Sequence, residues 1–154
     1  MRIFLAGIMQ GSHATADMHD QDYRRHLREL LEAHLPQADV YDPLADHGQS
    51  LDYGEEQARE VFLMHNAMCG EVDVVIAFVP QASMGTAIEM WEAHRAGKIV
   101  IAISGLTHNW AIRFSSHAIY ADLEAFEHAV ASGRLASQIE KLQNSNIAAL
   151  RPSG

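Results

Sequence analysis

One run of eight residues, Val72-Asp73-Val74-Val75-Ile76-Ala77-Phe78-Val79, most narrows the folds open to this chain. It is apolar except for Asp73, rich in β-branched side chains and shorter than a buried helix needs, so it reads as a central strand covered on both faces. Cover on both faces calls for helices above and below the sheet, and the flanking segments have the pattern to supply them. Residues 2–7 form a short apolar strand stopped by Gly7; 39–43 and 99–103 read as two more strands. Tyr23, Leu27, Leu30, Leu31 and His34 recur at helical spacing, predicting a helix over 19–35 that Pro36 closes. Segments 55–69 and 85–96 repeat that spacing, and Gly97 ends the second. Beyond 103, the reading is a short fifth strand at 115–120, a helix at 122–132 and a last helix at 136–150. The polar, histidine-containing stretch up to Gly54 has no periodicity that specifies its conformation.

Strands alternating with helices at these intervals imply right-handed βαβ units. The expected fold is therefore α/β: a single domain over 1–150, with a five-stranded parallel sheet doubly wound in the Rossmann-like or flavodoxin-like manner, helices on both faces, and a frayed tail at 151–154. Such sheets bind ligands at the carboxyl ends of their strands, near the switch in strand order. The loops after Leu5, Tyr41, Val79 and Ile103 should then converge.

Charge bounds the partners. Eleven basic residues against twenty acidic ones leave a net charge of −9, a field that repels polymeric nucleic acid and anionic membranes. The longest apolar run, 72–80, falls well short of the roughly 20 residues that cross a bilayer. The single cysteine, Cys69, excludes an intramolecular disulfide and, with no charged-then-apolar leader, points to a reducing, cytoplasmic setting. Cys69 itself reads as a buried apolar thiol, and Trp91 and Trp110 as core or interface residues. Ten histidines are present without any metal-ligand spacing, so no metal centre is expected. His65, before the central strand, and His108, beside Asn109 after the fourth, stand apart from the rest.

Two loops carry candidate chemistry. Gly7-Ile8-Met9-Gln10-Gly11-Ser12 follows the first strand and is either a tight turn or a cradle of amides for an anion; it has neither dinucleotide-binding glycine spacing nor the lysine of a P-loop. Gln81-Ala82-Ser83-Met84-Gly85-Thr86 enters the helix that holds Glu89. Ser83 is a natural N-cap, and a helix start with a hydroxyl and free amides is also an anion site. Glu89 shares a helix face with Gly85, Ala93 and Ala96, small residues that suggest close packing on the sheet. A carboxylate buried there is costly unless an ion pair or a function compensates. Glu92, one turn on, is expected to be solvated.

Taken together, Ile3-Phe4-Leu5-Ala6-Gly7, Asp73-Val74-Val75-Ile76-Ala77 and Ser83-Met84-Gly85-Thr86-Ala87-Ile88-Glu89, followed by Gly97-Lys98 and the fourth strand, resemble the nucleoside 2-deoxyribosyltransferase superfamily, over roughly the first 120 residues. The motifs are closest to those of its 2'-deoxynucleoside 5'-phosphate N-hydrolases. The resemblance implies cleavage of the N-glycosidic bond between base and sugar, with Glu89 as the carboxylate that attacks the anomeric carbon, as in retaining glycosidases. Where the transferases carry an aspartate for a free 5'-hydroxyl, this chain has Ser83, which with the amides of Met84 and Gly85 favours a 5'-phosphate. Phe4, Gly7, Met9, Gly11, Ser12 and Asn109 are the further substrate contacts it suggests. Ser115 or Ser116 occupies the region from which a neighbouring subunit completes the phosphate site, so a homodimer or higher homo-oligomer with a shared site is implied.

Two departures from the family pattern stand out. Phe4 replaces a strand-one tyrosine that hydrogen-bonds the nucleophile. His65 falls where the family has an aspartate that protonates the leaving base, and an imidazole suits acid work near neutral pH; Asn66 beside it is a second possible base contact. Asp73, at the start of its strand, is expected to be structural. The resulting expectation is a cofactor-independent nucleotide N-glycosidase. Base exchange on unphosphorylated deoxynucleosides is the alternative, and a non-catalytic nucleotide-binding module the third reading.

Overall fold

The computed structural model describes residues 1–9 and 19–149. Five strands, β1 (Arg2–Gly7), β2 (Asp39–Tyr41), β3 (Val74–Phe78), β4 (Ile99–Ile103) and β5 (Ala118–Tyr120), form one sheet in the order β2-β1-β3-β4-β5. Every neighbouring pair is parallel, with Phe4 opposite Val75 and Ile76 opposite Ile101. The expected α/β doubly wound sheet is therefore present, in its flavodoxin-like order. From β1 the chain goes outward to β2, then returns across the sheet to β3, so the order reverses between β1 and β3 and opens a crevice at their carboxyl ends.

The alternation of side chains along the strands separates two cores. Ile3, Leu5, Ile76 and Ile101 face one way and pack with Leu27 and Leu31 of α1 (Asp22–His34), Phe126 and Val130 of α6 (Leu123–Ala131), and Leu135 and Ile139 of α7 (Arg134–Ala149). Phe4, Ala6, Val75, Ala77 and Val100 face the other way. They meet Cys69 of α3 (Glu55–Cys69), Met90 and Ala93 of α4 (Met84–Arg95), and Ile112 of α5 (Trp110–Ser115). Both faces of β3 and β4 are covered, which is why these strands have no polar alternation. No described helix is long and apolar enough to cross a membrane.

Two short helices depart from the expected pattern. α2 (Pro43–Asp46) starts where the second strand was expected to continue, because Asp42 accepts the Leu44 N–H at 3.1 Å and Pro43 occupies the first helical position. α5 takes Ser115, the first residue of the expected fifth strand, and Asn109 caps it by accepting the Ile112 N–H at 3.3 Å. Each is too brief for helical periodicity to register. The expected frayed tail lies outside the described residues, as do Gln10, Gly11 and Ser12.

Candidate active site

The crevice at the carboxyl ends of β1 and β3 holds a cavity of about 480 Å³. Gly7 and Met9 enter it from the end of β1, Phe62 and His65 from α3, and Ser83, Met84, Gly85 and Glu89 from the start of α4. A second compartment of about 260 Å³ shares Met9, Phe62 and His65 with the first and continues to His47, Ser50 and Tyr53. The two form one cleft, with a carboxylate and a helix start at one end and aromatic and imidazole rings at the other.

Seven of the residues expected from sequence to act together, Gly7, Met9, His65, Ser83, Met84, Gly85 and Glu89, thus line a single cavity. Phe4 is fully buried and backs the cleft from below, stacked on Tyr41 at 5.6 Å and edge-on to His65 at 6.0 Å. Asn109 lies across the first turn of α4, in a separate cavity of about 340 Å³ that Ser83 and Met84 also line. Ser115 is buried and the Ser116 hydroxyl is enclosed without a hydrogen-bond partner; neither lines the cleft of its own chain. Asp73 sits at the opposite end of the sheet, accepting the Arg2 N–H at 2.7 Å. The tryptophans are not core residues: Trp91 and Trp110 are both largely exposed.

Glu89 is held differently from the way its small-residue neighbours suggest. The buried face of α4 is Thr86, Met90 and Ala93, while Gly85 and Ala96 are exposed and a Cβ on Gly85 would meet nothing within 4 Å. Glu89 is set one position off that buried stripe and turns into the cavity rather than onto the sheet. Burial pushes its carboxyl up to about 7, against the pull of the Arg24 charge.

Ser83 closes the start of α4. Its hydroxyl accepts from the Thr86 N–H at 3.4 Å and the Thr86 hydroxyl at 3.0 Å, which leaves its own proton free to donate. The amides of Met84 and Gly85 belong to the first turn, where no intrahelical acceptor exists.

His65 is buried, with Nε2 3.1 Å from the Tyr41 hydroxyl. Burial first, then the neighbouring His47 and Arg24, push its imidazole down to about 4, so the ring is neutral at pH 7. His47 lies 5.2 Å from it, ring to ring, and is itself fixed by Nδ1 at 3.0 Å from the Tyr53 hydroxyl. Asn66 turns away, donating to the Phe62 carbonyl at 2.7 Å.

Sequence reasoning missed several contributors. The loop after Tyr41 reaches the site as the topology leads one to expect, but Tyr41, His47, Tyr53 and, on α3, Phe62 carry no motif that singles them out. Tyr23 donates to the Ile8 carbonyl at 3.1 Å, and a Cβ on Gly7 would collide with its hydroxyl, which is the steric reason for glycine there. Arg24 is 1% exposed. It falls on the same stripe as Leu27 and Leu31, so an arginine at a core position was the signal available.

The sequence matches no family model and no curated protein. The fold does have solved counterparts. A 2-deoxyribosyltransferase from Bacillus psychrosaccharolyticus superposes with a TM-score of 0.61 at 20% identity, covering 82% of this chain and 90% of that one. A conserved protein from Enterococcus faecalis V583 gives 0.60 at 17% identity, covering 85% and 97%. The CMP N-glycosidase BcmB of Clostridium botulinum gives 0.52 at 23% identity, covering 84% and 98%. The chain shares the fold of these three proteins.

Proposed function

We propose that this protein is an N-glycosidase that cleaves a nucleoside 5'-monophosphate to free base and (deoxy)ribose 5-phosphate. The observation that carries this reading is the convergence, in one cleft, of the Glu89 carboxylate, the Ser83 hydroxyl at a helix start, and a ring-lined compartment reached past His65. A nucleotide has the matching order of parts. Its phosphate meets Ser83 and the first amides of α4, its sugar meets Glu89, and its base enters between His65, Phe62 and His47.

In the reaction, a Glu89 oxygen bonds to C1' as the C1'–N bond breaks and its electron pair leaves with the base. His65, neutral in the free enzyme, hydrogen-bonds the departing base, which takes its proton from water. A second water then attacks C1', passing a proton to the hydroxide left by the first, and the bond from C1' to the Glu89 oxygen breaks, restoring the carboxylate. The residues require no metal or organic cofactor for these steps. On the same reading the working unit is a homo-oligomer. The second copy sits on the exposed apolar face of α4 and α5, where Met84 is 82% and Trp110 74% exposed next to the Ser83 end of the cleft. Trp110→Lys should then shift the protein to monomer in sedimentation.

The test is a panel of ribo- and deoxyribonucleoside monophosphates assayed chromatographically for free base, with wild type and Glu89→Gln side by side. Base release by wild type that is lost in the folded variant supports the reading. Activity within a few-fold of wild type removes Glu89 as nucleophile. Exchange of bases on unphosphorylated deoxynucleosides identifies a transferase instead, and nucleotide binding without release over long incubation a binding module.

A further inference from the structure

The ring end of the cleft contains an aromatic corner that decides which nitrogen of His65 carries the proton. Phe4 and Tyr41 stand opposite each other in the β1–β2 register, so both side chains lie on the sheet face that α3 covers, and their rings stack at 5.6 Å. Into that corner α3 brings His65, one turn before the buried Cys69; its ring meets Tyr41 at 5.8 Å and Phe4 at 6.0 Å, edge-on to both. Packing thus fixes the plane of the imidazole, and the Tyr41 hydroxyl stands 3.1 Å from Nε2.

A neutral imidazole has one N–H and one lone pair, and the partner of either nitrogen decides which is which. His65 is neutral at pH 7, and burial keeps the Tyr41 phenol protonated there. A phenol is a strong donor whose oxygen accepts poorly, while an imidazole lone pair is a strong acceptor, so the favoured bond runs from the Tyr41 O–H to Nε2. Among the described residues no other group hydrogen-bonds the Tyr41 hydroxyl, and none occupies Nδ1 of His65. The ring proton is then on Nδ1, in a side chain that lines both compartments of the cleft.

We propose that Tyr41 is the positioning residue for His65: its hydroxyl fixes the Nδ1–H tautomer, so that the imidazole meets the base as a hydrogen-bond donor. The donor role rests on the proposed N-glycosidase reading; the tautomer does not. As the C1'–N bond breaks, its electron pair builds negative charge on the base, and an N–H bonded to an acceptor atom of the base stabilises that charge while the ring keeps its own proton. The opposite tautomer presents a lone pair to the same charge and repels it. His47, 5.2 Å away ring to ring, is tied to a tyrosine of its own, Tyr53, and does not compete for the Tyr41 hydroxyl.

Tyr41→Phe keeps the stack on Phe4 and removes a single oxygen. Free histidine favours the Nε2–H form, so without the hydroxyl the ring returns to it and the donor toward the base is lost. The kcat of base release should fall about tenfold, the worth of one hydrogen bond, while KM for monophosphates stays within about twofold because the phosphate contacts are untouched. A role limited to packing moves neither the tautomer nor kcat, since phenylalanine fills the same space.

The experiment records long-range 1H–15N correlations of the histidine rings in full-length protein labelled with 15N-histidine at pH 7, with His65→Gln to assign the ring. Alongside it runs steady-state base release by Tyr41→Phe, His65→Gln and the double variant. An Nδ1–H ring in wild type, its conversion to mostly Nε2–H in Tyr41→Phe, and a double variant no slower than His65→Gln alone are expected. An Nε2–H ring in wild type, an unchanged tautomer in folded Tyr41→Phe, or losses that multiply in the double variant overturn the proposal. If Tyr41→Phe fails to fold, the wild-type tautomer decides alone. The expected tautomers in a protein that releases no base leave the hold of Tyr41 on His65 standing and refute the N-glycosidase reading instead.

Discussion

Replacing Glu89 with glutamine should stabilise the fold while abolishing the chemistry proposed for it. The carboxyl titrates at about 7 in the folded protein against an ordinary 4.5, because burial disfavours its charged form. Below pH 4.5 both folded and unfolded chains hold the proton, and the group has no effect on the equilibrium. Between 4.5 and about 7 the unfolded chain ionises and the folded one does not, so stability falls by up to about 1.4 kcal/mol per pH unit. Above 7 the loss is constant at roughly 3 kcal/mol, an upper bound because the carboxyl faces a cavity that admits water. Glutamine has nearly the same shape and no charge to desolvate. Glu89→Gln should therefore melt at about the wild-type temperature at pH 4.5 and several degrees higher at pH 8, since a domain of this size gains about 2–4 °C per kcal/mol. Thermal and urea unfolding of both proteins across that range measure the difference. A variant less stable than wild type at pH 8, or a difference that does not change with pH, would refute the reasoning.

Three shorter expectations follow. The kcat/KM of base release should rise with pH through about 7, as Glu89 ionises, and then stay level, because His65 is already neutral there; a bell-shaped profile with its acid limb near 4 contradicts both assignments. Ser83→Asp keeps the cap of α4 but sets a carboxylate against the phosphate, so KM for monophosphates should rise at least about tenfold while unphosphorylated nucleosides are little affected; equal loss on both counts against the phosphate site. Gly7→Ala forces Tyr23 to move and should cost about 1–3 kcal/mol in urea unfolding, with part regained when Tyr23→Phe is added; a neutral effect of the single change means the ring has room to shift.

What was legible in the sequence follows the burial of each element. β3 and β4 are covered on both faces, and their continuous apolar runs leave no other reading. α3 runs from Glu55 to Cys69 as its spacing predicts. Glu89 and Ser83 stood out because a carboxylate near a buried stripe and a hydroxyl before a helix are local features, visible without any partner. The ring compartment was not legible: His47 and Tyr53 come from a stretch whose short helical turns have no period, and their meeting with His65 depends on the β2 to α3 connection folding back over the sheet. Of the small residues around Glu89, Ala93 packs on the sheet as expected, but Gly85 borders open space and Ala96 is exposed. Arg24 was hidden for the opposite reason, because it occupies a core position that the helical stripe reserves for apolar side chains.

The electrostatics of the cleft set a last expectation that separates local from long-range binding. The protein carries a net charge of −9, yet the proposed ligand brings a phosphate dianion. Among the described residues no lysine or arginine lines either compartment, and Arg24 is engaged with Asp42 and two carbonyls beneath them. Phosphate must then be held by dipoles, the Ser83 hydroxyl and the first amides of α4, whose pull is strong at contact and weak beyond the first turn. Added salt screens the overall repulsion without weakening these contacts much. Raising ionic strength from about 0.05 to 0.5 M should therefore leave KM for a monophosphate within about twofold or lower it slightly, unlike a site built on lysine and arginine, where affinity falls steeply with salt. A rise in KM of tenfold or more would mean that cations from elsewhere reach the phosphate. Arg113, exposed on α5 beside the apolar face proposed to meet a second copy, is the residue to substitute in that event.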